Sequence, residues 1–198
     1  MINTILKGLV LAGGKSTRMG RSKARICWHG KEQQYHLADL LSSFCDEVFI
    51  SCRKDQQHKI DFNYKVLPDL HEDSGPMEAI LTAFKKYPDQ SWMVVACDLP
   101  LLDKLTLDYL IKKRETSKIA TVFESPVDGL PEPLIAIWEP MSYNLLKSSY
   151  QTKQLSLRKI LLVNEVKIIK APNADALINV NTPAEAEQIR LKHAFFIR

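Results

Sequence analysis

An apolar segment that breaks into two glycines and then into cations is the part of this sequence best suited to chemistry. The run Leu9-Val10-Leu11 ends in Ala12-Gly13-Gly14, and five basic residues follow within eleven positions: Lys15, Arg18, Arg21, Lys23 and Arg25. Glycines let backbone N–H groups approach phosphate oxygens closely, and nearby cations neutralise phosphate charge. The segment therefore predicts a polyphosphate-binding loop at the end of a buried strand.

Two common phosphate motifs do not account for this loop. A P-loop requires G-x-x-x-x-G-K-[ST], and Leu9 stands where its first glycine belongs. The dinucleotide motif G-x-G-x-x-G fails because Gly13 and Gly14 are adjacent and the next glycine is Gly20. A glycine turn with a solvated basic rim is the alternative, but the spacing of the cations favours a binding loop.

The pattern L-A-G-G-x-S-x-R-M-G-x-x-K, from Leu11 to Lys23, resembles the signature of nucleotidyltransferases that make activated sugars and dinucleotide cofactors. It is most similar to the molybdenum cofactor guanylyltransferases, which transfer GMP from GTP to the phosphate of molybdopterin and release pyrophosphate. Relatives that use CTP typically read L-A-A-G and R-F-G, whereas this chain has Gly13 and Met19. The resemblance implies a nucleotide-diphospho-sugar transferase-like, Rossmann-type fold and one nucleotidyltransferase domain over residues 1–198.

The resemblance also implies roles for individual residues. Arg18, Lys23 and Asp98 are expected to act in catalysis, with Asp98 holding Mg²⁺ as the aspartate of a D-x-P segment. Asn179 and Asn181 match the family pattern N-x-N-T-P, on the side where the acceptor is expected. The nucleotide, metal and acceptor are expected to contact Leu11, Ala12, Gly13, Gly14, Ser16, Arg18, Lys23, Asp69, Gly75, Asp98, Asn179 and Asn181.

Asp98 also stands out from its position alone. It follows the apolar run Trp92–Ala96, and ligands of open α/β sheets bind at the carboxyl ends of strands. Asp103 is better placed to cap the next helix, so capping does not explain Asp98. Mg²⁺ prefers oxygen ligands and often takes one or two carboxylates together with substrate oxygens. Asp98 is therefore the predicted metal ligand.

Asp69 and Gly75 belong to a second region of the predicted cleft. Asp69 follows the run Tyr64–Leu67 and matches a family aspartate that contacts the nucleotide, although an ordinary turn aspartate would look the same. Gly75 precedes Pro76 at a predicted helix start, where backbone N–H groups are open to an anion. The chain departs from the family at Ala79, where glycine is usual, and at Arg53, beside the position of a common asparagine. These departures leave base preference less defined than phosphate binding.

Two later features leave alternatives open. Glu132 lies in a segment that is shorter in relatives, and it could bond a polar group of the substrate or face water. Asp128–Pro133 is predicted to be a loop because glycine and prolines interrupt it. Asn179 and Asn181 would point the same way from the end of a predicted strand, Ala176–Val180.

Apolar runs alternate with helical patterns along the chain. This alternation predicts an α/β fold, a three-layer α/β/α sandwich with a mostly parallel sheet. The predicted strands are Ile5–Leu11, Glu47–Ser51, Tyr64–Leu67, Trp92–Ala96, Ile119–Phe123, Leu134–Trp138, Val166–Ile169 and Ala176–Val180. Helical spacing of leucines is clearest near Leu37, Ile80 and Leu107, and Thr182-Pro183 followed by Glu185 predicts the start of a last helix.

Composition restricts the other function classes. A net charge of +4 over 198 residues does not indicate nucleic-acid binding, and no apolar run is long enough for a membrane span. The four cysteines are dispersed, which is typical of reduced thiols in a cytoplasmic protein. The expected partners are GTP and molybdopterin or molybdenum cofactor, with transient contacts to molybdoenzymes or cofactor-delivery proteins. A CTP-dependent enzyme, a sugar-1-phosphate nucleotidyltransferase and a silent nucleotide-binding protein are the alternatives.

Overall fold

Seven strands form one sheet in the part of the chain that the structure describes. The structure is a computed structural model, and it describes residues 5–14, 22–69 and 75–192. The sheet has the order β3-β2-β1-β4-β6-β5-β7. Its strands are β1 (Leu6–Leu11), β2 (Glu47–Cys52), β3 (Lys65–Pro68), β4 (Ser91–Ala96), β5 (Ala120–Glu124), β6 (Pro131–Trp138) and β7 (Lys167–Ile169).

The sheet is mostly parallel, as predicted, and β6 is its antiparallel member. Strand β1 lies between β2 and β4 and is parallel to both, so the carboxyl ends of these three strands lie at one edge. Strand β6 runs antiparallel to β4 and to β5. The amino end of β6 therefore lies at the same edge as the carboxyl end of β4.

Helices cover both faces of the sheet. They are α1 (Gln33–Ser42), α2 (Pro76–Lys86), α3 (Lys104–Lys112), α4 (Ser142–Gln151), α5 (Leu157–Leu162) and α6 (Pro183–Lys192). One buried cluster joins α1 and α3 to the sheet through residues such as Leu37 and Leu107. A second cluster joins α2, α4 and α5 to the opposite face, with Phe84 and Leu157 among its members. The predicted three-layer α/β/α sandwich is confirmed.

Side-chain caps begin two helices where the sequence predicts them. Asp103 accepts a hydrogen bond of 2.7 Å from Thr106 N at the start of α3. Before α6, Thr182 Oγ1 accepts from Glu185 N, and Glu185 Oε2 accepts from Thr182 N, which completes a capping box. Because Asp103 caps α3, Asp98 is left for another role.

The predicted strand Ala176–Val180 is wrong. Ala174–Leu177 forms a 3-10 turn, and the side chain of Asn173 accepts a hydrogen bond from Asp175 N at its start. This turn buries both Ala176 and Leu177, so the short apolar run belongs to a buried turn and not to a strand. The two asparagines that follow therefore do not extend from a strand end.

The predicted loop Asp128–Pro133 is wrong in its second half. Strand β6 already begins at Pro131 and contains Pro133. Register pairs between β4 and β6 end at Val95 and Ile135, so β5 is the only described strand that pairs with the start of β6. A strand with an open side tolerates proline, because the missing N–H removes no ladder bond there.

Two further expectations concern cysteines and membrane spans. All four cysteines are free, as the sequence predicts. Within residues 5–14, 22–69 and 75–192, no helix has the length and apolar character that crossing a membrane would require.

Candidate active site

The turn after β1 packs tightly against the ends of β2 and β3. Ala12 N donates a hydrogen bond of 2.8 Å to Ser51 O, which carries the parallel ladder one residue beyond Leu11. A Cβ on Gly13 would lie 3.1 Å from Asp69 Oδ2 and 3.4 Å from Arg53 N, whereas a Cβ on Gly14 would meet no atom of the described residues within 4 Å. Close backbone approach therefore explains glycine at position 13, and Gly14 is left open to a ligand.

Asp69 lies just beyond β3 and faces this turn. Its backbone N–H donates to Cys52 O at 2.8 Å, and its Oδ1 accepts from Ser51 Oγ at 2.7 Å. The pKa of the Asp69 carboxyl is raised to about 6, mainly by burial and in part by the charge of Glu78, while the Ser51 hydroxyl and Arg53 act in the opposite direction. The hydroxyl of Ser51 was not predicted as a site residue, because a strand serine gives no signal in sequence.

Arg53, one of the departures from the family pattern, lies against the glycine turn. Its Nη1 donates to Gly13 O at 3.3 Å, and its Nε and Nη2 donate to the Asp55 carboxylate at 3.0 and 3.1 Å. The guanidinium is thereby oriented along the turn. We call Gly13, Ser51, Arg53 and Asp69 the first group.

Gly75 lies at the start of α2. Its φ of +68° is in the left-handed region, a backbone conformation that favours glycine, and a Cβ there would meet no atom of the described residues within 4 Å. Pro76 opens the helix as predicted. Ala79, the second departure, is buried in the hydrophobic cluster of the α2 face together with Leu67.

A second group forms beyond β4 and consists of Lys23, Asp98 and Asn181. Lys23 Nζ lies 2.5 Å from Asn181 Oδ1 and 3.5 Å from Asp98 Oδ2. The backbone holds the two oxygen-bearing segments together, because Val180 N donates to Asp98 O at 2.8 Å. Burial raises the pKa of the Asp98 carboxyl, Lys23 opposes that shift, and the charge of Glu132 adds to it.

Each member of the second group comes from a different local element. Lys23 begins a 3-10 turn, Lys23–Arg25, whose Ala24 is buried and fixes the direction of the lysine. Asn181 lies just before the capping box of α6, and its backbone N–H donates to Glu185 Oε2 at 2.6 Å. The helix cap therefore positions the asparagine. Asn179, two residues earlier, is exposed and is not part of the contacts to Lys23.

The two groups are neighbours across β1. Leu11 pairs with Ser51 of β2 on one side and with Ala96 of β4 on the other. Leu11, Ala12 and the glycines therefore lie between the first and the second group. Of the other predicted residues, Ser16 and Arg18 lie outside the described residues.

An ion-pair pattern near the second group was not predicted. Arg158, on α5, donates from Nη2 to Glu132 Oε1 at 3.0 Å and from Nη1 to Asp128 Oδ2 at 2.8 Å. Glu132 is thus paired with Arg158 through its Oε1 atom. The pair joins residues 26 positions apart, so no local spacing in the sequence indicates it.

Comparisons with known proteins identify the family and the fold of this chain. A family model described as MobA-like NTP transferase domain matches residues 8–166. The chain is 35% identical over 187 residues to a molybdenum cofactor biosynthesis bifunctional protein of Synechocystis sp., a match that covers 94% of this chain and 54% of that protein. The chain thus spans about half the length of that relative.

Two further similarities cover nearly whole proteins. The chain is 28% identical over 179 residues to a molybdenum cofactor guanylyltransferase of Pseudomonas entomophila, covering 88% of this chain and 93% of that protein. Its fold is similar, with a TM-score of 0.78 and 22% identity, to the crystal structure of molybdopterin-guanine dinucleotide biosynthesis protein A from Archaeoglobus fulgidus. That likeness covers 96% of this chain and 100% of the other, and it shows the fold.

Proposed function

The chain belongs to the MobA-like NTP transferase family, and from that membership and the site we propose that it transfers GMP from GTP to the phosphate of molybdopterin, releasing pyrophosphate. Its family is one of nucleotidyltransferases. The names of its relatives support the guanylyl donor and the molybdenum cofactor pathway. The version of the glycine loop with Gly13 and Met19 supports GTP over CTP.

The observation that carries the proposal is the second group, beside the glycine turn. A lysine ammonium, a carboxylate and an amide oxygen meet at the carboxyl end of β4, one strand away from Gly13. Phosphoryl-type transfer depends mainly on positioning and on neutralising charge. This group offers both signs of charge at the place where a triphosphate on the glycine turn would reach.

Magnesium is the cofactor that we propose for this site, and the donor set fits it. Asp98 Oδ2 and Asn181 Oδ1 are oxygen atoms that already share one cation, the Lys23 ammonium. Among the described residues no cluster of three His, Cys, Asp or Glu side chains could hold a metal. Asp98 would therefore hold Mg²⁺ with the amide oxygen, substrate oxygens and water, as magnesium sites often do. When bound, Mg²⁺ would neutralise triphosphate charge and polarise the leaving group.

Lys23 has a role in both states of the proposed cycle. Before substrate binds, it balances the partly buried Asp98 carboxylate, whose side chain is 23% exposed. Once that carboxylate has another cation, the ammonium is available to the α-phosphate. Gly13 and Gly14, with Ser16 and Arg18, would hold the remaining phosphates.

The reaction needs no general base in this proposal. An oxygen of the acceptor phosphate, already anionic at neutral pH, attacks the α-phosphorus of GTP. The new P–O bond forms as the bond to the β-phosphate breaks, and its electron pair leaves with pyrophosphate. The main barrier is repulsion between two anions, which preorganised cations reduce.

We also propose a cytoplasmic location and transient contact with molybdoenzymes or cofactor-delivery proteins. The four free thiols support a reducing compartment. The acceptor and the product support the contacts, because a cofactor made here must pass to the enzymes that use it.

The experiment is a pyrophosphate-release assay with purified protein, Mg²⁺, each of the four NTPs, and molybdopterin present or absent. We expect release with GTP only when molybdopterin is present, and tighter binding of GTP than of CTP, ATP or UTP by calorimetry. CTP as the best substrate would contradict the guanylyl assignment and direct attention to Arg53 and Ala79. Pyrophosphate release with a sugar 1-phosphate but not with molybdopterin would mean that the acceptor is a sugar 1-phosphate.

A further inference from the structure

Glu132 lies beside the second group because β6 is next to β4 in the sheet and runs in the opposite direction. Strands β4 and β6 pair from Trp92–Trp138 to Val95–Ile135. Because β6 runs antiparallel to β4, the amino end of β6, which contains Glu132, lies at the same edge of the sheet as the turn after β4 that contains Asp98. The influence of the Glu132 charge on the Asp98 pKa agrees with this placement.

Arg158 holds Glu132 by one of its two oxygens. Nη2 of Arg158 donates to Oε1 at 3.0 Å, and the Glu132 side chain is only 14% exposed. Within the part of the chain that the structure describes, Oε2 accepts no hydrogen bond, and it is not a fully buried atom. Arg158 therefore fixes the position of the carboxylate and leaves one oxygen for a further donor, which lowers the entropic cost of binding that donor.

The order of the sheet decides which substrate reaches Glu132. The first group lies at the ends of β1, β2 and β3, Asp98 lies at the end of β4, and β6 is next beyond β4. If the nucleotide lies over the first group with its α-phosphate near Asp98, then β6 is on the far side of the reacting phosphorus. In-line attack brings the acceptor from that side.

We propose that Glu132, positioned by Arg158, is a specificity residue that accepts hydrogen bonds from the amino-oxo heterocycle of the acceptor. This inference rests on the proposed function, because it takes the acceptor to be a pterin. A 2-amino-4-oxopteridine presents an amino group and a ring N–H side by side, and a carboxylate accepts such donor pairs well. The acceptor phosphate, by contrast, is repelled by Glu132 and is directed toward Lys23.

The steady-state test compares Glu132→Gln with Asp128→Asn. Glutamine keeps the shape of Glu132 and removes the charge, whereas Asp128→Asn weakens the other carboxylate partner of Arg158. With GTP and molybdopterin as substrates, we expect Glu132→Gln to raise the KM for molybdopterin about 10- to 100-fold, the value of a lost charged hydrogen bond. We expect the Kd for GTP to stay within about twofold, and Asp128→Asn to resemble the wild type in both quantities.

A binding test does not depend on turnover. Fluorescence titration of pterin-6-carboxylate and of lumazine-6-carboxylate, its 2,4-dioxo analogue, would be measured with Mg²⁺ and a non-hydrolysable GTP analogue present. We expect the wild type and Asp128→Asn to prefer the pterin by about tenfold or more, and Glu132→Gln to lose that preference. Equal binding of both pteridines by the wild type, or an unchanged preference in Glu132→Gln, overturns the inference.

The two tests separate this inference from the proposed function. A pterin preference that depends on Glu132, without turnover of molybdopterin, supports the inference and contradicts the guanylyltransferase proposal. Turnover of molybdopterin with an unchanged KM in Glu132→Gln supports the proposed function and overturns the inference. A Glu132→Gln variant that binds GTP more weakly also overturns it, because the residue would then serve the nucleotide. A second variant, Glu132→Asp, retains the charge and should keep part of the pterin preference.

Discussion

The first and second groups lie one strand apart but differ in the contacts that join their members. In the first group, backbone hydrogen bonds between neighbouring strand ends form the frame, Ala12 N to Ser51 O and Asp69 N to Cys52 O, both 2.8 Å, and side-chain bonds of Ser51 and Arg53 add to it. In the second, a backbone bond joins the segments of Asp98 and Val180, and a side-chain cation, Lys23 Nζ, connects Asn181, which is 158 positions away, to Asp98. A backbone frame is rigid and shape-selective, whereas an ion-pair group can exchange one cation for another. The difference suits a nucleotide pocket next to a reacting centre.

The largest expected effect on kcat comes from removing the negative charge of Asp98 in the second group. Asp98→Asn should lower kcat on the order of 100- to 1,000-fold, because the neutral amide balances neither Lys23 nor a metal ion. The fold should survive, since Asn is nearly isosteric and the Val180 N to Asp98 O bond uses only the backbone. Turnover at several Mg²⁺ and Mn²⁺ concentrations, with thermal melting alongside, measures both effects.

Asp103→Asn is the matched control for that variant. It makes the same chemical change five residues later, at the cap of α3, where Asn caps nearly as well as Asp. Its kcat and metal dependence should remain those of the wild type. If Asp98→Asn kept full activity with an unaltered metal dependence, the metal would have to lie elsewhere, with Asp69 as the next candidate.

Lys23→Ala should have the next largest effect. A charged hydrogen bond made only in the transition state is worth about 10- to 150-fold in kcat. Lys65→Ala, which removes an exposed lysine paired with Glu47 at the far end of the sheet, is the control and should leave kcat unchanged. Near wild-type turnover in a folded Lys23→Ala protein would remove the lysine from the mechanism.

In the first group, a substitution that adds volume should change Tm and the Kd for GTP without any change of charge. Gly13→Ala places a Cβ 3.1 Å from Asp69 Oδ2, so Asp69 must move by a few tenths of an ångström. Overpacking of this kind costs roughly 1–3 kcal/mol and would lower Tm by several degrees. The GTP Kd should rise several-fold with it. Gly14→Ala adds a Cβ that meets no atom of the described residues at the same turn and should retain the wild-type Tm, so equal Tm losses in the two variants would contradict a rigid backbone frame.

The smallest effect concerns the pH dependence of stability at Asp69. Burial raises its folded pKa to about 6, above the unfolded value near ~4. The folded state therefore binds the proton more tightly, and the contribution of this carboxyl to stability is full below pH ~4 and is lost as pH rises through about 6. An asparagine at position 69 does not ionise, so Asp69→Asn avoids the cost of a buried negative charge at higher pH. Its Tm relative to the wild type should therefore increase between pH 4.5 and pH 7.5.

Asp55→Asn is the control for that measurement, because the pKa of Asp55 is shifted in the opposite direction to that of Asp69. The side-chain bond from Arg53 lowers the pKa of Asp55, so this carboxylate contributes stability at neutral pH that is lost on acidification. The Tm of Asp55→Asn relative to the wild type should therefore not increase with pH. A pH-independent difference for Asp69→Asn would mean that its carboxyl is not desolvated in the folded state.

Much of the fold follows from local pattern. Continuous apolar runs predicted the strands from β1 to β7 to within a few residues, because a strand covered on both faces must be apolar throughout. The cap residues of α3 and α6 were also readable, since a cap depends on neighbours three residues away. The failure at Ala176–Val180 arose because a short apolar run fits a buried turn as well as a strand.

The sequence by itself determined the glycine turn, the aspartates that follow strands and the family, because each depends on residues that are close along the chain. Only the tertiary structure decided that Lys23 meets Asn181 rather than Asn179, and that Arg158 holds Glu132 near Asp98. The position of Glu132 near Asp98 depends on strand order and on the antiparallel direction of β6, and the contact of Lys23 with Asn181 joins two segments that are far apart in the chain. Register is set by how whole faces of the sheet are buried, and no local spacing of residues encodes it.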